Sequence, residues 1–383
     1  MGKEVAVNEK ILVWAREKAG FAVDDAARHI GVSLEKLNAW ESGDKLPTMN
    51  QLEKIAKFYC HPVITFFMSF PPVDESSFKD FRTIGSHYTL SPSKYFSALK
   101  MRIEILHDTL KEIAESERME KKDYVGSVNI STPIPDVVDK LNELLAWNNN
   151  IRRKFRTPRD LFDALRDSAL RIGIFVVIKG DLGSHHSRVS KEEFRGICLA
   201  DDVVPLIVIN PNDYDIAWAF TLAHELAHIL LGDRGISNDM TGSSIEREAF
   251  CNKVAGEFLV PSDILVKLAQ GKNIDREFIS GLAEDFRVSR YVISRRLLDV
   301  RLISKDSFNR INKELDVEFA NYQMTKRANQ NSVGPDANVV ARFRIGKPVL
   351  NLIINASDDG LISYNQASAA LGIKPSRFAA VLK

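Results

Sequence analysis

Residues 220–232 read Phe-Thr-Leu-Ala-His-Glu-Leu-Ala-His-Ile-Leu-Leu-Gly. Their length and apolar content describe a buried helix that stops at Gly232, with Phe220, Leu222, Ala223, Ala227, Ile229 and Leu230 as its flanks. His224 and His228 stand out against that background. Four residues apart on a helix, they lie one above the other, so both imidazoles can reach one metal ion. Glu225 is rotated off that face, yet near enough to take a proton from a water that zinc has made acidic. With 8 histidines in 383 residues, a chance HExxH has a probability on the order of 1%. A core helix could also hold two satisfied histidines, so a third ligand carries the decision.

A zinc site that turns over substrate needs three protein ligands and a position for water. The spacing HExxHxxGxxH fails here, because Leu231 stands at the glycine position and Arg234 at the third histidine. The next helical stretch, IEREAFCNKVAGEFLVP (245–261), offers Glu246 and Glu248. Glu248 is the preferred ligand. Asn252 follows it by four residues on the same face, where it could hydrogen-bond a ligating side chain. Glu246 lies nearly opposite by helical rotation and ranks second.

The stretch from Asp201 to Pro261 resembles the ImmA/IrrE metallopeptidases. The resemblance rests on VVPLIVIN (203–210), the HExxH segment and the helix ending CNKVAGEFLVP, and it extends upstream through LRIGIFVVIKG (170–180) and EEFRGICLAD (192–201). It covers roughly residues 150 to 300. It implies a gluzincin-like fold, with a small sheet on the HExxH helix and an edge strand placed to hold extended peptide. It also implies one Zn²⁺ per chain on His224, His228 and Glu248, with Glu225 as general base and acid. On this reading the substrate adds as a strand against Val203–Ile209. Many relatives carry a basic residue shortly before the HExxH segment, whereas this chain has DIAWA at 215–219. No residue is identified as an oxyanion stabiliser; Tyr214 and the His185–His186 pair are candidates.

Residues 8–68 read as closely spaced short helices, with Gly20, Gly31 and Gly43 at their ends. The pieces AARHIGVS (26–33), LEKLNAWE (34–41) and Ser42-Gly43 resemble the repressor-type helix-turn-helix domain, a five-helix fold. Gly31 would make the turn, Ser33 would cap the second helix of the motif and Trp40 would enter the core. That helix puts its N-terminal part into the major groove. Asn38 could read adenine, Ser33 sits at the helix start, and Arg28, Lys36 and Lys45 could touch phosphates. Residues 1–60 hold nine Lys/Arg and nine Asp/Glu, a balance without the surplus that DNA binding favours.

Two further segments have helix-turn-helix spacing: LAEDFRVSRYVISRRLLDVRLIS (282–304), with Arg287, Arg290, Arg295, Arg296 and Arg301, and ISYNQASAALGIKPSRFAAVL (362–382). Each reads equally well as a bundle supporting the peptidase. The cluster Arg152, Arg153, Lys154, Arg156 and Arg159 reads as a solvated helix start.

The chain has 52 Lys+Arg against 51 Asp+Glu, 45% apolar and 27% charged residues, so it is globular and its global charge selects no partner. Three widely spaced cysteines argue against a disulfide framework or thiolate cluster and fit a reducing cytoplasm. No signal peptide or membrane span is expected. The resulting expectation is an α+β, mostly helical protein: helix-turn-helix domain 8–70, linker and helical connector 71–150, zinc peptidase domain 151–275 and helical C-terminal region 276–383. The function expected is that of an endopeptidase acting on a helix-turn-helix repressor in stress or mobile-element control. DNA is a second partner, and a homodimer is in keeping with repressor-type modules. The alternative is a transcription regulator whose peptidase-like domain senses rather than cleaves.

Overall fold

The computed structural model describes residues 4–19, 21–59, 61–70, 93–148, 155–233, 242–328 and 336–383. The first unit holds four helices, α1 (Glu9–Lys18), α2 (Val23–Ile30), α3 (Leu34–Glu41) and α4 (Met49–Tyr59), closed by a short 3-10 turn at Val63–Phe67. Each boundary has a local cause. The Asn8 side chain accepts from Lys10 N at the start of α1, and Gly31, at φ 79°, ends α2. Ser33 then caps α3 by accepting from Lys36 N. Leu12, Ala26, Leu37, Trp40, Leu52 and Phe66 close the core.

The rest of the chain begins with α5 (Lys94–Ser116), α6 (Ile134–Leu144) and α7 (Pro158–Arg171). Three strands follow, β1 (Phe175–Ile178), β2 (Gly196–Leu199) and β3 (Leu206–Ile209), then α8 (Asp215–Leu231), α9 (Gly242–Leu259) and α10 (Ser262–Ala269). Helices α11 (Arg276–Phe286), α12 (Arg290–Asp299), α13 (Lys305–Ala328), α14 (Ala337–Ile345), α15 (Lys347–Asp358), α16 (Tyr364–Leu371) and α17 (Phe378–Leu382) complete it. No described helix is long and apolar enough to cross a membrane.

The sheet order is β1-β3-β2, with β3 parallel to β1 and antiparallel to β2. This corrects the expected substrate edge. Val203–Ile209 contains the central strand, both sides of which are already paired, so an added peptide cannot lie against it. The free edge beside the HExxH helix belongs to β2, and no described strand pairs with its outer side.

All three strands are almost wholly apolar, so both sheet faces need cover. Val176, Ile178, Cys198, Ile207 and Ile209 pack against α7, α8 and α9, and that same core takes in Val137 and Leu141 of α6, Ile279 and Leu282 of α11, and Ile293 and Leu297 of α12. Phe175, Val177, Ile197, Leu199, Leu206 and Val208 face α5, α15 and α16 on the other side. Helices α5 and α6 of the expected connector thus enter the two cores, as do α11, α12, α15 and α16 of the expected C-terminal region. Residues 71–92, read as a linker, lie outside the described residues.

The end of α8 is closed from outside. Gly126 N and Val128 N donate to Ile229 O and Leu230 O, at 3.1 and 3.0 Å, satisfying carbonyls that the helix itself leaves open. Gly232 turns the chain at φ 67°, and a Cβ there would lie 2.7 Å from Gly126 Cα. Gly232→Ala is expected to cost more than about 2 kcal/mol, because left-handed strain adds to a backbone overlap that no rotamer relieves. Urea unfolding of the two chains measures it.

Candidate metal centre and cleft

His224 and His228 come from successive turns of α8, and Glu248 from the facing turn of α9. His224 Nε2 and His228 Nε2 lie 3.1 Å apart. Glu248 Oε2 is 3.2 Å from His224 Nε2, and Glu248 Oε1 is 3.2 Å from His228 Nε2. These are the edge lengths of a tetrahedron with arms of about 2 Å, the reach of zinc to nitrogen and oxygen ligands. Glu248 Oε1 is buried without a hydrogen-bond donor. Three lone-pair donors thus converge where protein protons cannot satisfy them all, which fits a divalent cation. Among the described residues no other three His, Cys, Asp or Glu side chains converge in this way. Burial holds the Cys198 and Cys251 thiols above their ordinary pKa, so neither offers a thiolate nearby.

Burial opposes ionisation of Glu248, but the two imidazoles facing it outweigh that and hold its pKa at about 2. Glu225 behaves differently. It is buried among apolar groups, which pushes its carboxyl above the usual range while the histidines pull it back. A carboxylate with raised basicity beside the ligand cluster suits a proton carrier.

One supporting residue was not foreseen. Asp233, immediately after the turn at Gly232, accepts a hydrogen bond from His228 Nδ1 at 2.9 Å and is itself bound by Arg247. Nδ1–H is then committed to the carboxylate, leaving the Nε2 lone pair directed at the ligand cluster. Asn252, expected to support a ligand, lines the cleft but makes no hydrogen bond to His224, His228 or Glu248. The sequence signal for Asp233 is an acidic residue following the glycine that ends the HExxH helix, five positions past His228. Asp233→Asn is expected to weaken zinc binding about 10- to 100-fold with the fold intact, as read by chelator competition.

Beside the cluster runs a cleft of about 600 Å³, lined by Arg195 and Gly196 at the head of β2, by α8 and α9, and by Tyr291, Val292 and Arg295 of α12. Gly196 has no side chain where it meets Glu225: a Cβ there would overlap Oε1 and lie 2.8 Å from Cδ. The carboxylate therefore lies directly against Gly196 of the edge strand. Neither Tyr214 nor His186 lines the cleft; Tyr214 sits under Lys191, whose Nζ is 4.6 Å from the ring centroid.

Arg28, Ser33, Lys36, Asn38 and Lys45 all stand exposed on the first unit. Arg28 is ion-paired with Asp24 and Asp25 on its own helix, and Lys36 Nζ lies 5.4 Å from the Trp40 ring centroid. The 282–304 segment forms the end of α11 and the whole of α12, joined by a short turn with Arg287 at φ 57° and Ser289 capping α12. Three of its five arginines are engaged with other segments of the protein, however. Arg287 donates to Phe155 O, Arg290 pairs with Glu318, and Arg296 is buried on Glu257. The 362–382 segment buries Ala367, Ala370 and Leu371 in the core under α5. Of the early basic cluster, Arg152, Arg153 and Lys154 lie outside the described residues, while Arg159 stacks on Phe343 at 3.6 Å.

Two family models match this chain. Residues 172–298 match the IrrE N-terminal-like domain, and residues 12–59 match the helix-turn-helix family. No curated protein matches it.

Proposed function

We propose that this chain, in which a DNA-binding helix-turn-helix domain precedes an IrrE-like metallopeptidase domain, is a zinc-dependent endopeptidase that cleaves a helix-turn-helix transcriptional repressor. One observation carries the reading: His224, His228 and Glu248 converge within 3.2 Å of one another, with the Glu225 carboxylate packed against Gly196 of the edge strand β2. His224, His228 and Glu248 would hold the ion, and a bound divalent cation polarises a carbonyl and acidifies water.

The remaining work falls to the chain's own groups. The outer edge of β2 offers main-chain donors and acceptors to an extended substrate, fixing the scissile peptide alongside Glu225. Glu225 takes the proton of the attacking water as the new C–O bond forms. It then delivers that proton to the amide nitrogen as the C–N bond breaks, so the products are a carboxylic acid and an amine. The helix-turn-helix domain holds the enzyme at the DNA where its target is bound.

Metal removal tests this directly. The purified chain is incubated with candidate helix-turn-helix repressors from the same cell, after chelation and after restoring Zn²⁺. Cleavage is expected only with metal, yielding two fragments with a single new N-terminus. An intact repressor in the zinc-restored sample, with zinc bound stoichiometrically, would favour a sensory domain instead.

A further inference from the structure

The helix with the strongest second claim to reading DNA, α12, is a wall of the peptidase cleft. Besides the core packing of Ile293 and Leu297, one buried polar side chain ties it there. Arg296 Nε donates to Val260 O at 3.1 Å, and its guanidinium binds Ser262 Oγ at 2.9 Å and the Glu257 carboxylate. Gly256 makes room for it, since a Cβ at that position would lie 2.8 Å from Arg296 Cδ. Val260, Glu257 and Gly256 all lie at the end of α9, so α12 is tied to the helix that carries Glu248.

With Arg296 turned inward, α12 presents Tyr291, Val292 and Arg295 to the cleft. Two ion pairs at the cleft share one orientation, while the buried Arg296 is the inward-turned exception. Arg295 bonds Asp299 at 3.0 Å, with its own side chain 57% exposed and the carboxylate 18%. Across the groove, Arg195 faces Asp213 at 3.7 Å, 49% exposed against 4%. Each pair thus turns its cation toward solvent and its anion toward the interior. Lys253, also exposed on the cleft, has no described carboxylate within ion-pair distance. The two remaining carboxylates of the lining, Glu225 and Glu248, belong to the metal cluster, where a divalent cation offsets them.

We infer that α12 is the substrate-reading element of this peptidase, and that the cleft takes an extended peptide segment bearing acidic side chains beside the bond to be cut. The inference rests on the proteolytic reading above and names its substrate class. A peptide is favoured over nucleic acid because the open β2 edge offers alternating main-chain N–H and C=O groups. Phe220 and Val292 also add apolar contact between the cations.

The test uses the full zinc-loaded chain carrying Glu225→Gln, so that binding is read without turnover. Two short fluorescent peptides, identical except that flanking Glu residues in one are Lys in the other, are titrated by anisotropy. The acidic peptide is expected to bind at least about tenfold more tightly. Arg295→Glu should reverse that order with an unchanged melting curve, Arg295→Ala should reduce it, and Arg195→Glu should act in the same direction as Arg295→Glu. Equal binding of both peptides, binding of neither, or an order unmoved by Arg295→Glu overturns the inference. Displacement of the acidic peptide by a short single-stranded oligonucleotide at equal concentration also overturns it, in favour of nucleic acid. The wild-type chain separates this from the proteolytic reading. Cleavage of both peptides alike sinks the charge preference alone, whereas selective binding without cleavage sinks the proteolysis alone.

Discussion

Replacing Glu225 with Gln is expected to abolish the proposed cleavage while zinc still binds. Gln keeps the size and the hydrogen-bonding oxygen of Glu but accepts no proton near neutral pH, so the attacking water and the leaving nitrogen both lose their proton carrier. General acid–base catalysis of this kind is worth about 10²- to 10⁴-fold, and the turnover number should fall by that factor. The Michaelis constant should change little, because the strand edge that holds substrate is intact. Metal content should remain one equivalent, since the converging donors are His224, His228 and Glu248. Stability should be unchanged or slightly higher, because a buried carboxyl that burial already makes reluctant to ionise is replaced by a neutral amide. Zinc analysis, thermal unfolding and steady-state kinetics on one preparation read all of this. Full proteolysis by the Gln variant would remove Glu225 from the mechanism.

The parts of this architecture that were legible in the sequence are those with short-range causes. The HExxH helix declares itself through four-residue spacing and a terminal glycine, and the strands through compact runs of β-branched residues. The first helix-turn-helix is readable from Gly31, Ser33 and Trp40, each of which has a local job that its chemistry fits. What sequence reasoning missed depends on long-range pairing. Nothing in VVPLIVIN says whether the strand is central or at an edge. That is settled by β1, about thirty residues earlier, pairing in parallel on one side while β2 pairs on the other.

The basic appearance of residues 282–304 does not by itself distinguish a nucleic-acid reader from a supporting bundle, for a related reason. Charge counted along the chain does not reveal that Arg296 points inward to Glu257 and Val260, or that Arg290 is neutralised by Glu318 from another helix. Both helices of that segment pack into the core around the HExxH helix, and α12 lines the cleft. Asp233 was within reach of sequence reasoning. The glycine that ends α8 reverses the chain, and the next side chain can then return toward the imidazole one turn back.

Valine at position 196 is expected to disable the enzyme almost as completely as loss of Glu225, and by the same route. Gly196 does not use glycine's special backbone freedom, since its φ is outside the left-handed region. A β-branched residue suits a strand, and β2 should still pair with β3. The obstacle is the space beside it. A Cβ would overlap Glu225 Oε1, lie 2.8 Å from Glu225 Cδ and come within 2.7 Å of Thr221 Cγ2. Thr221 is short and buried on α8, so the group that yields is the far end of Glu225, which swings off the strand edge. Zinc content and melting temperature should therefore stay close to wild type while the turnover number drops steeply, with Gly196→Ala intermediate. The double variant Gly196→Val/Glu225→Gln distinguishes displacement of the carboxylate from damage to substrate binding. If the valine acts by displacing Glu225, the double variant is no slower than Glu225→Gln alone, because a misplaced base and an absent base are the same loss. Losses that multiply, or a Michaelis constant that rises with turnover unchanged, would instead assign Gly196 to pairing with the substrate strand.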